Sequence, residues 1–281
     1  MKVVSTTLAG PGTASIIGDA LRSVAPFVDE HIIIWTGGGD GHNADVVRAL
    51  DDATDIATWR MYPWPWCDDF GAARNAALAV ARGRADWAIT IDTDERIVTH
   101  GEDVRAILAN TTADVLLAQD VGGTYAKPRA IRCASSTRWV GTTHESVTAD
   151  AQEALAMLPR LRFDELPPTP EVLAAKFTRD RRLLLAELDA HPESTRAWYY
   201  LGATLHGLGE VDAAIDAFRR CAHLNGWYEE SAFACVRAAE LLCGRERYRE
   251  AIAACALGLT RDAGMAELAV LAGHACMMLG E

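Results

Sequence analysis

Along the first half of the chain, short β-branched runs alternate with stretches whose apolar positions recur every three or four residues. Residues 2–8 read as a strand ending at the Ala9-Gly10-Pro11-Gly12 turn, 15–24 as a helix and 31–35 as a second strand. That second strand, His-Ile-Ile-Ile-Trp, is apolar on both faces, as a central strand of a parallel sheet is. A glycine-rich loop at 36–41, a helix at 43–51 and a third strand at 54–60 follow. Two prolines in Met61-Tyr62-Pro63-Trp64-Pro65-Trp66-Cys67 predict an irregular stretch there. A helix over 70–82 leads to a strand at 87–91, which runs into Asp92, Asp94 and Glu95. Helix 101–110, strand 115–119 and short strands at 129–133 and 136–139 continue the alternation. The pattern predicts an open α/β sheet with ligand residues at the carboxyl ends of its strands.

Between about 150 and 170 the texture changes, and beyond the linker at 166–170 nearly everything reads as helix. A long helix covers 171–190 and stops near Pro192. Trp198, Leu201, Gly202, Leu205, Ala214, Phe218 and Cys221 then fall at positions 4, 7, 8, 11, 20, 24 and 27 of a 34-residue tetratricopeptide unit starting at 195. Small residues at positions 8 and 20 let the paired helices approach closely. Weaker units start near 232 (Ala239, Leu242, Ala251) and near 266 (Gly273, Cys276), the last of them short enough to be half a unit. Two domains are expected, 1–165 and 171–281.

Charge narrows the partners. With 39 acidic against 27 basic residues the net charge is −12, which argues against a broad nucleic-acid surface. An anionic nucleotide would need a local answer: a metal, one or two arginines or a helix N-terminus. No apolar stretch approaches the ~20 residues of a spanning helix, and Lys2-Val3-Val4 runs into a turn, unlike a signal peptide. The seven cysteines form no CxxC pair and read as small buried hydrophobes in a reducing compartment. A cytoplasmic location is the expectation.

Three clusters can carry chemistry. Asp92 and Asp94 share a side in extended geometry, and oxygen ligands at that spacing suit Mg²⁺ or Mn²⁺ bridging to a diphosphate. The same residues also fit an ordinary acidic loop that caps the next element. Asp69 can cap the helix that places Arg74 and Asn75 one turn in, and an arginine near a metal can grip phosphate in a forked contact. Arg74 on a solvated helix face is the alternative. His144 and Glu145, adjacent in a short loop, can serve a metal and a base, or simply be a polar pair at the surface.

Taken together, these stretches resemble family 2 glycosyltransferases of the GT-A fold, in the subgroup with a tetratricopeptide-like C-terminal region. That subgroup's Asp-Phe-x-x-Ala-Arg-Asn is matched by residues 69–75, and its Gly-Asp-Trp, apolar strand and Asp-Ala-Asp-Glu by residues 85–95. Its Trp-x-Gly-x-x-His-Glu is matched by residues 139–145 and its Lys-x-x-Arg-Asp by residues 176–180. The resemblance implies a GT-A (Rossmann-like) nucleotide-sugar-binding α/β domain followed by an all-α tetratricopeptide-like domain. It implies that Asp92 and Asp94 are the DxD pair around Thr93, with Asp94 the direct metal ligand and His144 a further metal or diphosphate contact. Arg74, beyond Asp69, is placed near the diphosphate, and Glu145 as the base, with Asp120 its rival. The donor site would include Thr7 on the first strand, and Trp35 and Asp40, which flank the glycine-rich loop. There the chain departs from the family: Trp35 stands where relatives carry an aspartate near the nucleobase, and Leu8-Ala9-Gly10-Pro11 where they carry Asn-Glu.

The implied reaction is an inverting, metal-dependent transfer from a nucleoside-diphosphate sugar, UDP-sugar favoured, to a peptide, protein, natural product or glycan acceptor. Tyr62, Trp64 and Trp66 form either an apolar platform for a sugar or packing under the sheet. A nucleotidyltransferase is a competing reading, weakened because 7–13 carries no basic residue. So is a degenerate sugar-nucleotide-binding module whose repeats bind proteins. Homodimerisation through the repeats is a third role for the helices.

Overall fold

The computed structural model describes residues 1–38, 44–53, 55–148, 155–224 and 226–280, in two compact units, Met1–Pro167 and Pro168–Glu281. Asp40 lies outside the described residues.

In the first unit the strands are β1 (Val3–Ala9), β2 (Glu30–Trp35), β3 (Thr58–Pro63), β4 (Trp87–Thr90), β5 (Glu95–Val98), β6 (Val115–Asp120) and β7 (Ala126–Arg132). β8 (Arg138–Val140) and β9 (Ser146–Thr148) pair as a separate antiparallel hairpin, and β10 (Leu155–Glu165) returns to the main sheet. That sheet is mixed, with strand order β3-β2-β1-β4-β7-β6-β10-β5. Its first four strands run parallel, in the 3-2-1-4 order of a Rossmann-like half. From β1 the chain builds outward through β2 and β3, then crosses to β1's other side for β4. Residues 91–94 therefore emerge at the switch point of the sheet, where such folds open a crevice.

Successive side chains along these strands feed two cores, which explains the near-continuous apolar runs. Val3, Ile33, Trp35, Trp87 and Ile89 pack with α1 (Ala14–Val24), α2 (Ala44–Asp52) and α4 (Val104–Asn110). Val4, Ile32 and Ala88 pack with Leu78 and Ala81 of α3 (Phe70–Arg82) and with Trp139 of β8.

Several elements differ from expectation. β3 runs on to Pro63, where an irregular stretch is expected. It is the outermost strand, with Pro63 opposite Trp35 at its end, so a missing N–H is tolerated. The helix expected from 101 starts at Val104, because Asp103 caps it by accepting from the Ala106 N–H at 3.0 Å. β5, β9 and β10 have no counterpart in the sequence reading.

The second unit is a stack of helices, each packed on its neighbour in sequence: α5 (Pro170–Ala190), α6 (Thr195–Gly207), α7 (Val211–His223), α8 (Tyr228–Gly244), α9 (Tyr248–Arg261) and α10 (Ala266–Leu279). Pro170, expected in the linker, sits in the first turn of α5, where its missing N–H would be unpaired anyway. Of the residues placed in the 195 unit, Leu201, Gly202, Leu205, Ala214, Phe218 and Cys221 are buried. A Cβ at Gly202 would lie 2.8 Å from the Phe218 ring, so position 8 has to be glycine for α6 and α7 to close. The pair α8–α9 repeats the arrangement, with Gly258 against Cys235 of α8 and Leu268 of α10. Gly273 is different: it is exposed and approaches nothing closely, so the spacing that picked it out reflects no helix contact. Among the described residues no helix is long and apolar enough to cross a membrane.

Candidate active site

Asp69 caps α3, its Oδ1 accepting from the Ala72 N–H at 2.8 Å. The two N–H groups that this cap leaves over are taken by the β8–β9 turn: Phe70 donates to the Thr142 carbonyl at 2.9 Å and Gly71 to the Gly141 carbonyl at 3.2 Å. One turn further along, Asn75 grips the backbone of Trp139 twice, donating to its carbonyl at 2.8 Å and accepting from its N–H at 2.9 Å. These contacts fasten the hairpin turn at 141–145, with His144 and Glu145, over the start of α3. The turn is tight, with Gly141 at φ +103° and His144 at φ +50°.

Arg74 points from α3 between two carboxylates. Its Nη2 donates to Asp92 Oδ1 at 2.8 Å and its Nε donates to Glu145 Oε1. The guanidinium lies 5.1 Å from the centre of the Trp139 ring. Its Nη1 is buried and has no hydrogen-bond partner among the described residues. Burial works against the charged form of Arg74, but the Asp92 and Glu145 charges outweigh it and raise the pKa. Burial likewise pushes the Asp92 carboxyl up, and Arg74, Arg129 and Lys127 together hold it well below the usual range.

Beneath Asp92 lies a second charged layer. Glu95 is fully buried, accepts from the Asp92 N–H at 3.1 Å and pairs with Arg129 and, at 3.0 Å, with Lys127. Arg129 in turn approaches Asp92 Oδ2 at 3.8 Å. Lys127 also pairs with Glu165, whose other oxygen accepts from the Tyr125 hydroxyl at 2.7 Å. Phe163 of β10 packs against both cations, 4.9 Å from Lys127 Nζ and 4.8 Å from Arg129 Cζ. Burial first and the Asp92 charge second raise the pKa of Glu95. Asp94 stands at the open end of this layer, exposed to solvent. Neighbouring protein atoms shield this carboxyl from part of the water and raise its pKa, and the Asp92 charge raises it further.

The structure thus joins Arg74 to Asp92 and Glu145, with Asp69 capping the helix that carries Arg74 and with Thr93, Asp94 and His144 beside them in sequence. It places three other residues differently. Asp120 ties the β6–β7 turn, accepting from Thr124 N–H at 2.6 Å, Tyr125 N–H at 2.9 Å, the Thr124 hydroxyl at 3.0 Å and Gly122 N–H at 3.1 Å. Those bonds, led by Tyr125, lower its pKa. Trp35 is 4% exposed, packs into the α1–α2 core and lies beneath Gly37, donating from Nε1 to the Gly38 carbonyl at 3.3 Å. Thr7 is buried on β1, with a hydroxyl that has no partner among the described residues. Lys127 and Arg129 are absent from the sequence reading. Both come from β7, more than thirty residues beyond the acids they hold, and no local spacing marks them.

This donor set suits a divalent cation only as a partial site. Among the described residues no three His, Cys, Asp or Glu side chains gather as a complete ligand cage. Mg²⁺-type sites at phosphates need only one or two carboxylates, with the remaining positions filled by phosphate oxygen and water. Asp94, an exposed carboxylate two residues from Asp92, fits such a partial site. The unpaired Nη1 of Arg74 fits an oxyanion beside it.

No family model matches the sequence. A tetratricopeptide repeat-containing protein of Synechococcus elongatus is 28% identical over 232 residues, covering 76% of this chain and 55% of its own length. The chain therefore spans about half the length of that curated relative. Among solved structures, S. aureus TarS 1-349 matches 100% of this chain and 92% of its own at a TM-score of 0.47 and 13% identity. The same TarS fragment in complex with UDP gives a TM-score of 0.47 at 14% identity. The TPR2B domain of yeast Sti1, in complex with pHsp70, matches 37% of this chain and 85% of its own, with a TM-score of 0.32 and 17% identity. The sheet order and helix pairs described above define the class: a Rossmann-like mixed α/β domain followed by a tetratricopeptide-like stack.

Proposed function

We propose that the first unit is a nucleotide-sugar-dependent glycosyltransferase. The observation that carries this reading is Arg74, set between Asp92 and Glu145 at the sheet's switch point with one buried guanidinium nitrogen still unmet. A diphosphate is the ligand whose shape and charge suit that nitrogen. The resemblance to family 2 enzymes over the same residues supports it.

In this reading Asp94 would hold Mn²⁺ or Mg²⁺, with Asp92 and His144 as further candidate ligands. Such a cation neutralises charge on a departing nucleoside diphosphate. Arg74 binds diphosphate oxygens and stabilises the leaving group as the glycosidic bond to it breaks. Glu145 takes the proton of the acceptor hydroxyl, amine or thiol, and the acceptor adds to the anomeric carbon from the opposite face, inverting it. Asp120 is a poor base by comparison, since four donors already occupy its carboxylate. Glu95, Lys127 and Arg129 hold the Asp92 loop in place from below. Asp69 and Thr93 complete the donor side, while Thr7 is buried on β1 and Trp35 supports the loop above it. UDP is the favoured nucleotide. The helical unit is the proposed seat of a peptide or protein acceptor, or of a second copy of the chain.

Calorimetric titration with UDP, GDP, ADP, CDP and dTDP, with and without Mn²⁺, tests the reading. Metal-dependent binding of one diphosphate, lost in Asp94→Ala, is the expected result. A folded protein that binds none of them with or without metal would sink it.

A further inference from the structure

Arg74 divides one hydrogen-bonding edge between two acids. Its Nε and Nη2, which together match the paired oxygens of a single oxyanion, go separately to Glu145 and Asp92. The two acids are not held alike. Asp92 keeps a second cation at 3.8 Å in Arg129, and its loop is braced by Glu95. Glu145 is 10% exposed at its side chain, and Arg74 is its sole ion-pair partner among the described residues. Its backbone is fixed through the turn's bonds to Phe70 and Gly71, so the turn remains docked even when the Glu145 carboxylate lets go. Of the two carboxylates, Glu145 is the one left without a cation when an oxyanion takes that edge.

We propose, resting on the glycosyl-transfer reading, that Arg74 exchanges partners. The diphosphate of the incoming donor takes the Nε–Nη2 edge; Asp92 keeps Arg129 as its cation, and Glu145, with no second cation among the described residues, is released only once donor is bound. Arg74 is thereby a link between the donor half of the site and the base as well as a diphosphate ligand. Without donor, the base is neutralised by the cation that will later grip the diphosphate. The Trp139 ring beneath the guanidinium keeps it in plane while its partners change.

The test is the affinity of the full chain for each of the five nucleoside diphosphates in MnCl₂. It compares wild type, Glu145→Gln, Glu145→Asp and the double variant Arg74→Gln/Glu145→Gln against Arg74→Gln alone. Removing the competitor should tighten binding of the preferred diphosphate about tenfold in Glu145→Gln. Glu145→Asp, which keeps the charge but shortens the reach, should move the same way. In the Arg74→Gln background the gain should vanish. Unchanged affinity in Glu145→Gln would overturn the exchange while leaving the donor site standing. So would an equal gain in the Arg74→Gln background, which the loss of a nearby negative charge alone would produce. Failure of every variant and the wild type to bind any diphosphate would overturn the glycosyl-transfer reading, and the exchange with it.

Discussion

Gly71 and Gly141 meet backbone to backbone: the Gly71 N–H donates to the Gly141 carbonyl at 3.2 Å, and a Cβ on Gly71 would lie 2.7 Å from that oxygen. Only a residue without a side chain lets the 141–145 turn settle on the start of α3. Gly71→Ala should therefore lift the turn and pull Glu145 away from Arg74, reducing transfer at least tenfold while α3 itself, well served by alanine, persists. Turnover assays alongside circular dichroism check this. Wild-type turnover in a variant of unchanged helicity would count against the docking role.

Asp120 and Glu145 separate cleanly by substitution. Glu145→Gln should lower turnover by roughly 10²- to 10⁴-fold, the range for loss of a general base. Asp120→Asn should leave turnover within a few fold and lower the melting temperature, because its oxygens serve four donors of a turn. The reverse pattern would assign proton transfer to Asp120.

The buried layer under Asp92 behaves as a unit. Arg129→Met leaves Glu95 buried with Lys127 as its remaining cation and should cost about 3–5 kcal/mol, as breaking a buried pair does. Adding Glu95→Met should recover much of that loss. Urea unfolding of the single and double variants measures both; additive losses would mean that the two residues act independently.

His31 makes stability depend on pH. It is fully buried on β2, bonded through Nδ1 to the Ser5 hydroxyl at 2.6 Å, and burial lowers its pKa from 6.5 to about 4. Because the folded pKa lies below the unfolded one, the unfolded chain binds the proton first. Stability from this residue is intact above pH 6.5, declines as pH falls towards 4 and is lost below it. The full difference is roughly 3 kcal/mol. Denaturant midpoints between pH 7 and 4 should fall less steeply in His31→Gln than in wild type, and parallel curves would refute the assignment.

In the helical unit, Gly202→Ala sets a methyl 2.8 Å from the Phe218 ring and should destabilise the stack by about 1–3 kcal/mol, despite alanine's better helix propensity. Gly273→Ala on exposed α10 should be neutral or mildly stabilising. Thermal melts of the two variants decide between close packing and simple propensity.

Much of this was legible because the residues concerned are local. The strand at 87–91, the Asp69 cap and the spacing from Leu201 to Cys221 depend on neighbours within one or two turns, and sequence periodicity reports such neighbours. β10 was illegible for a definite reason. Its pairing with β6 shifts register between Met157 and Arg162, so the period-2 pattern breaks in mid-strand, and Pro159 lies within that interval. Lys127 and Arg129 were missed with it, since they matter only once β7 brings them beside Glu95. Asp120 stands at a strand end as a rival base, and spacing does not reveal that its lone pairs are spent on the turn.

Asn75 has an effect beyond holding the hairpin in place. Its amide offers Trp139 one donor and one acceptor, as the backbone of a neighbouring strand would. The outer rim of β8 is thereby closed to any extended segment from another molecule, a protection two-stranded ribbons ordinarily lack.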